Sequence, residues 1–104
     1  VLSNMGMIYF MQGQLDSAEI VYRKAVEFAP VFVDARRNLG VVKAIQKDFP
    51  AAIEQWKAAL EYADEKQSAI LYFYIGSGYI DLGEPEKSTQ WLEKAYKINP
   101  ALRK

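Results

Sequence analysis

The chain contains neither cysteine nor histidine. Without cysteine it can form no disulfide and no zinc–thiolate site. The lack of histidine removes the commonest general base and the commonest metal ligand together. Thirteen basic and thirteen acidic residues give a formal net charge of zero, without the basic excess that binding of nucleic-acid phosphates requires. We therefore expect no catalysis, no cofactor, no metal and no nucleic-acid partner for this segment.

Long hydrophobic runs are also absent, since no apolar stretch approaches the roughly 20 residues that span a bilayer. The first residues lack the basic flank of a signal peptide. The chain has 104 residues, of which 51% are hydrophobic and 25% charged, a balance typical of a folded domain. We expect a soluble segment without membrane contact, and both a cytoplasmic and a periplasmic location fit it.

What the sequence does contain is an internal repeat. Glycines at positions 6, 40 and 76 stand 34 and then 36 residues apart. Twelve residues after each glycine comes a small residue, four later a large one, and three later an alanine: Ala18, Tyr22 and Ala25, then Ala52, Trp56 and Ala59, then Ser88, Leu92 and Ala95. Repeats of this length indicate stacked structural units, each too small to bury its apolar face alone.

Each unit is predicted to be a pair of antiparallel helices, because apolar residues recur at spacings of three and four with a break between the halves. In the first unit, one helix stops near Gly13 and the next runs from about Leu15 to Phe28. Later, Gly83 and Pro85 mark the same boundary. The two extra residues of the second period are assigned to the turn around residues 64–67. The small residues of the paired helices are expected to face each other.

These residues resemble the tetratricopeptide repeat, whose signature is a Trp-x-x-Leu-Gly-x-x-Tyr stretch followed by Ala, an aromatic residue, Ala and Pro. The stretch appears here as residues 2–9, 36–43 and 72–79. The resemblance implies an all-α, right-handed superhelical solenoid of three helix pairs. We place the repeats at residues 1–32, 33–68 and 69–102, with residues 103–104 opening a further helix. Because the pattern is already under way at Val1, we expect the chain to come from a longer protein.

The resemblance also implies a concave groove lined by the first helix of each unit, on which such proteins bind peptides or partner helices. The residues at groove positions, called the predicted groove below, are Asn4, Met7, Phe10, Met11, Arg37, Asn38, Val41, Ile45, Ile70, Phe73, Tyr74 and Ser77. They are largely apolar, with Arg37 and the two asparagines as polar groups for a backbone amide or a carboxylate. The function implied is a protein-interaction scaffold.

One specific function within this family is not expected. Its chaperone-adaptor members hold a carboxylate-ended peptide with Lys, Asn, Asn, Lys and Arg at fixed positions. Here those positions carry Ser3, Met7, Asn38, Ile70 and Tyr74, so only the second asparagine agrees. The basic residues that would neutralise the peptide are missing.

Two alternatives to groove binding remain open. The first is self-association through an uncapped end of the solenoid, formed by Trp91, Leu92, Tyr96 and Ile98. The second is a regulatory segment of a larger enzyme or assembly factor, using the same groove. The other large aromatic residues at signature positions, Tyr9, Tyr22, Trp56 and Tyr79, are interpreted as core.

Overall fold

The computed structural model describes residues 2–103, with side chains described from residue 6 onward. Over this range it is helical throughout, with elements α1 (Leu2–Met11), α2 (Leu15–Phe28), α3 (Val33–Ile45), α4 (Phe49–Leu60), α5 (Glu65–Asp81) and α6 (Pro85–Ile98), followed by a short 3-10 turn at Pro100–Arg103. The helices pack as antiparallel pairs α1–α2, α3–α4 and α5–α6. Each second helix also packs on the first helix of the next pair. The prediction of an all-α stack of helix pairs is confirmed.

The helix boundaries follow from local chemistry. Gly13 and Gly83, with φ of 76° and 77°, lie just beyond α1 and α5, where the left-handed conformation carries no Cβ penalty. Lys47 takes the same conformation after α3 without being glycine, at φ 66°. Asp48 then caps α4 by accepting a hydrogen bond from the Ala51 amide at 3.3 Å. Pro85 begins α6, as predicted.

The two extra residues of the second period do not lengthen a turn, contrary to the sequence interpretation. Four residues separate α4 from α5, as four separate α2 from α3. The additional residues extend α5, which at 17 residues is longer than α3 at 13. The cause is a capping box: the Asp64 carboxylate accepts from the Gln67 amide at 2.7 Å, while the Gln67 side chain accepts from the Asp64 amide at 3.0 Å.

Two apolar clusters form the core. One lies between α2 and α3 and contains Ala18, Tyr22, Leu39 and Val42. The other joins α3, α4 and α5 and contains Val33, Ala52, Ile53, Trp56, Ala59, Leu71, Ile75 and Tyr79. Tyr22, Trp56 and Tyr79 are buried and Tyr9 packs partly buried against the first cluster, so the interpretation of these aromatic residues as core is confirmed.

Each repeated glycine packs against a large side chain of the paired helix, and Gly76 also lies opposite the backbone of Ser88, one of the small residues expected to face it. A Cβ on Gly6 would lie 2.5 Å from Cε1 of Tyr22, and one on Gly76 would lie 2.6 Å from Cγ of Leu92. Gly40 stands in the same relation to the indole of Trp56. The reason is that each ring or branched side chain needs the whole volume of a missing side chain on the opposite helix. The glycines thus set how closely the paired helices approach.

Candidate functional site

The first helices of the three pairs lie side by side, since α1 contacts α3 and α3 contacts α5. The predicted groove residues lie on these three helices, and the side that the helices share is the candidate binding face. Asn4 lies outside the residues whose side chains the structure describes, as does Ser3. The other eleven comprise a projecting group of four exposed apolar residues, a floor of five half-buried residues, and Arg37 with Asn38.

The projecting group is aliphatic and sulfur-containing. Met11 is 79% exposed, Met7 49%, Ile45 47% and Ile70 37%. Covering large apolar side chains that are this exposed to water lowers the free energy, so such a surface favours contact with a partner. Met side chains in particular adapt to partners of different shape.

The floor is formed by half-buried residues that pack on the core. Phe10 lies against the α2–α3 cluster, and Val41 and Tyr74 lie against the other cluster. The ring of Tyr74 sits 5.4 Å from that of Trp56, tilted by 45°, within the range favoured by aromatic pairs. Phe73 and Ser77 are also partly buried. These residues give the face a fixed shape, because they cannot move without disturbing the core.

Arg37 is the cation of the predicted groove, and its guanidinium is paired with an acidic side chain. Its guanidinium pairs with Asp34 at 3.2 Å, and its carbonyl oxygen accepts a hydrogen bond from the indole N–H of Trp56 at 3.1 Å. Burial raises the pKa of the nearby Tyr22 hydroxyl, while the charge of Arg37 acts in the opposite direction. Asn38, on the next position of α3, is partly buried. An anchored guanidinium beside an amide can hold a backbone carbonyl or a carboxylate of a bound chain.

One exposed apolar residue of α5 was not included in the predicted groove. Ile80 is 57% exposed and lies four residues after Gly76, as Phe10 lies four residues after Gly6. The repeat alignment could have identified Ile80, because it gives positions 10 and 80 the same place in the repeat. The same position in the second unit holds Ala44, so the apolar character of the face varies along its length.

The four residues predicted to form a self-association end are not equivalent. Trp91 packs against the α3–α4–α5 cluster and lies 5.8 Å from the ring of Tyr72. Leu92 fills the space opposite Gly76. Both side chains are therefore engaged within the protein. Tyr96 lies under the guanidinium of Arg103, 4.8 Å from its ring centre.

Ile98, the last of the four, brings the two predicted sites together. It lines a pocket of about 660 Å³ with Ala69 and Ile70, at the amino end of α5 and the carboxyl end of α6. Asp64, Glu65, Lys66 and Asn99 complete the walls.

Candidate metal-binding groups and membrane-spanning helices are both absent from the described residues. Among the residues that the structure describes, no group of three or more Asp and Glu side chains is arranged to hold a metal ion. No helix within residues 2–103 is long and apolar enough to cross a membrane.

Comparisons with known proteins agree with this architecture. Two family models, both described as tetratricopeptide repeat, match residues 1–30 and 69–102. No curated protein matches the chain significantly. A crystal structure of MamA is similar with a TM-score of 0.87 and 25% identity, over 95% of this chain and 57% of that chain. The chain thus spans little more than half the length of MamA.

Two further solved structures are similar. One is the N-terminal domain of stress-induced protein-1 (STI-1) from C. elegans, with 20% identity, a TM-score of 0.87, and coverage of 94% of this chain and 81% of that chain. The other is the first TPR of Spaghetti (RPAP3) bound to the HSP90 peptide SRMEEVD, with 22% identity, a TM-score of 0.88, and coverage of 95% and 77%. At these identities the likeness shows the fold. With the family models, the glycine register and the stacked helix pairs in agreement, the chain belongs to the tetratricopeptide repeat family and is a protein-interaction module.

Proposed function

We propose that this segment binds an apolar stretch of a partner protein, as an extended peptide or a helix, on the face formed by α1, α3 and α5. The observation that carries the proposal is the row of exposed apolar side chains on this face, Met7, Met11, Ile45, Ile70 and Ile80, above a rigid aromatic floor. Exposing such a row of apolar side chains to water is unfavourable in free energy, and a bound apolar segment would remove this penalty.

Arg37 and Asn38 add direction to the proposed contact. Because Asp34 already neutralises Arg37 in part, one hydrogen bond to a peptide carbonyl suits this group better than a free carboxylate does. The bound chain is therefore expected to be anchored by side chains and to pass through the site, without a requirement for its own terminus.

This proposal separates the segment from the RPAP3 domain, which is similar in fold and whose structure contains the HSP90 peptide SRMEEVD. At positions where the chaperone-adaptor members carry basic or amide side chains, this chain has Met7, Ile70 and Tyr74. A fluorescein-labelled SRMEEVD peptide should show no saturable polarisation change with this protein up to high micromolar concentrations. Saturable binding that depends on the peptide's free carboxyl terminus would contradict an apolar site.

The test of the site itself is a peptide display selection against the protein. We expect recovered peptides to share two or three large apolar residues and to lose binding at least tenfold in a Met11→Glu, Ile45→Glu variant. Both side chains are exposed, so the changes leave the core intact. Ile20→Glu is the matched control, since Ile20 is 57% exposed on α2, outside this face. Equal losses in the control, or retained binding in the double variant, would show that the face is not the binding site.

Self-association is a second candidate, favoured by the apolar pocket that Ile98 shares with Ile70. A second copy or a partner segment could fill it. Molar mass measured by light scattering over a concentration series would detect a dimer, and Ile98→Lys should then return the protein to a monomer while Ile20→Lys should not. A monomer at every concentration would exclude self-association of this segment.

A further inference from the structure

A second surface of the molecule, formed mainly by α4 and α6 together with Tyr79 of α5, carries lysines over aromatic rings. The ammonium of Lys94 lies 4.6 Å from the ring centre of Trp91, and that of Lys57 lies 5.3 Å from it. Lys57 also donates a hydrogen bond to the Tyr79 hydroxyl at 2.7 Å, and Lys87 lies 5.7 Å from the Tyr79 ring. We call Lys57, Lys87, Lys94 and Trp91 the lysine–tryptophan patch.

The patch lies on the second helices of two neighbouring pairs. Lys57 belongs to α4, whereas Lys87, Trp91 and Lys94 belong to α6. Spacings of four and three residues place the α6 members on one stripe of that helix. A partner bound here would leave the opposite face, formed by the first helices, open.

The fold does not require these residues. In the second unit, 36 residues earlier, the positions of Lys87, Trp91 and Lys94 hold Ala51, Gln55 and Ala58. That helix packs into the same stack without lysine or tryptophan at these places. Trp91 packs on the core, but the packing of the second unit shows that the stack does not need lysines at the two flanking positions.

The charges of the patch are only partly compensated. Lys87 pairs with Glu84 at 3.2 Å. Within the described residues, Lys57 and Lys94 form no salt bridge. Both ammonium groups lie within 5.3 Å of the same indole ring centre, so one short segment with several carboxylates can reach both of them.

A shallow pocket adjoins the patch at Lys57. It measures about 380 Å³ and is lined by Pro50, Ile53, Glu54, Lys57, Tyr79 and Leu82. Its walls are mostly apolar, so it can accept one aliphatic side chain. The Glu54 carboxylate repels acidic groups that lie beside the pocket. It therefore disfavours a long polyanion that runs past the pocket more than a short acidic segment centred over Trp91.

From this arrangement we propose that the lysine–tryptophan patch is a second docking surface, and that its partner is an acidic peptide segment with one aliphatic residue beside its carboxylates. The carboxylates pair with Lys57 and Lys94, and the aliphatic side chain enters the adjoining pocket. This surface is independent of the groove proposal, because it uses the second helices.

The experiment titrates isotope-labelled protein with the blocked peptide Glu-Glu-Leu-Glu-Glu at low salt and follows the two tryptophan indole N–H signals by NMR. The chain has two tryptophans, and Trp91→Phe assigns the signals. Trp56 is the internal control, since its indole is bonded to the Arg37 carbonyl beneath the other face. We expect the Trp91 signal to shift with a dissociation constant of about 1 mM or below and the Trp56 signal to stay in place.

Matched variants test the charges. Each exposed ion pair changes affinity by about 1.4- to 5-fold, so Lys57→Gln with Lys94→Gln should weaken binding by between about 2- and 25-fold. Lys24→Gln with Lys66→Gln removes the same net charge elsewhere and should leave the affinity within experimental error. An unchanged Trp56 signal shows that the variants are folded.

Four results would overturn the proposal. The first is a Trp91 signal that does not move at 5 mM peptide, which is about five times the expected dissociation constant, and the second is an equal shift with the peptide Gln-Gln-Leu-Gln-Gln. The third is equal weakening of binding in the two double variants, and the fourth is a set of shifts confined to the groove face. A single-stranded oligonucleotide that binds the patch more tightly than the acidic peptide would likewise overturn the assignment of the partner. In the first three cases the lysines serve only to cover the aromatic rings.

Discussion

The contact between Gly40 and Trp56 allows a quantitative prediction for Gly40→Ala. An added Cβ would lie 2.6 Å from Cδ1 and 2.7 Å from Cε2 of the indole, whereas carbon atoms in ordinary contact are about 3.5–4.0 Å apart. The indole cannot swing aside, because its N–H is bonded to the Arg37 carbonyl at 3.1 Å and the ring is 4% exposed. The helices themselves must move apart.

The expected net effect is a loss of about 2 kcal/mol in the free energy of unfolding. Overpacking in a rigid core costs about 1–3 kcal/mol, here near the upper end. Replacing a helical glycine by alanine returns about 1 kcal/mol. For a domain of this size the net loss corresponds to a fall of about 8–16 °C in Tm.

Urea unfolding followed by circular dichroism at 222 nm measures this loss, and a double-mutant cycle tests its cause. In a Trp56→Leu background the added methyl meets a smaller and more flexible side chain, so Gly40→Ala should cost about 1–2 kcal/mol less there. Gly76→Ala, opposite the half-buried Leu92, should likewise cost less than Gly40→Ala. A Gly40→Ala protein as stable as its parent, or a cycle without coupling, would refute the steric reasoning.

Three further predictions concern stability. Hydrogen bonds from Gln46 and Lys43 lower the pKa of Glu19 below its ordinary value of 4.5. The Glu19 carboxylate therefore stabilises the fold above pH 4.5, and this stabilisation is lost as the pH falls through the lowered pKa. The urea midpoints at pH 7 and pH 3 should differ less in Glu19→Gln than in the parent protein. Asp64→Ala removes the capping box of α5 and should lower the free energy of unfolding, measured by chemical denaturation, by about 1 kcal/mol. Asp64→Asn should keep most of the stability that Asp64→Ala loses. Ile75→Ala, at a fully buried site, should cost about 2–5 kcal/mol by the same measurement, and a cost below 1 kcal/mol would mean that the core has collapsed around the cavity.

Most of the helix boundaries could be predicted from the sequence because their signals are local. The second helix was predicted from Leu15 to Phe28 and is observed there. Gly13 and Pro85 act within one turn of their own position. The extension of α5 was missed because a capping box and a turn have similar polar compositions, and only the reciprocal hydrogen bonds of Asp64 and Gln67 distinguish them.

The repeat register predicted a location for the candidate groove but not its character. The repeat register placed Met7 and Met11 on the same face as Ile45. It could not tell which side chains project and which form the floor, because the burial of Phe10 and Tyr74 depends on the neighbouring helices. That the face binds a partner stays a prediction.

The sequence by itself determined that this chain is a stack of helix pairs, because glycine, alanine and aromatic residues at fixed offsets admit close packing in only that register. Tertiary structure decided what each large side chain does. Trp91 and Leu92 are adjacent in sequence, yet one lies under lysines beside the preceding pair and the other fills the space opposite Gly76. Neighbouring residues on a helix point about 100° apart, and the direction in which each meets a partner is fixed by how the helices pack.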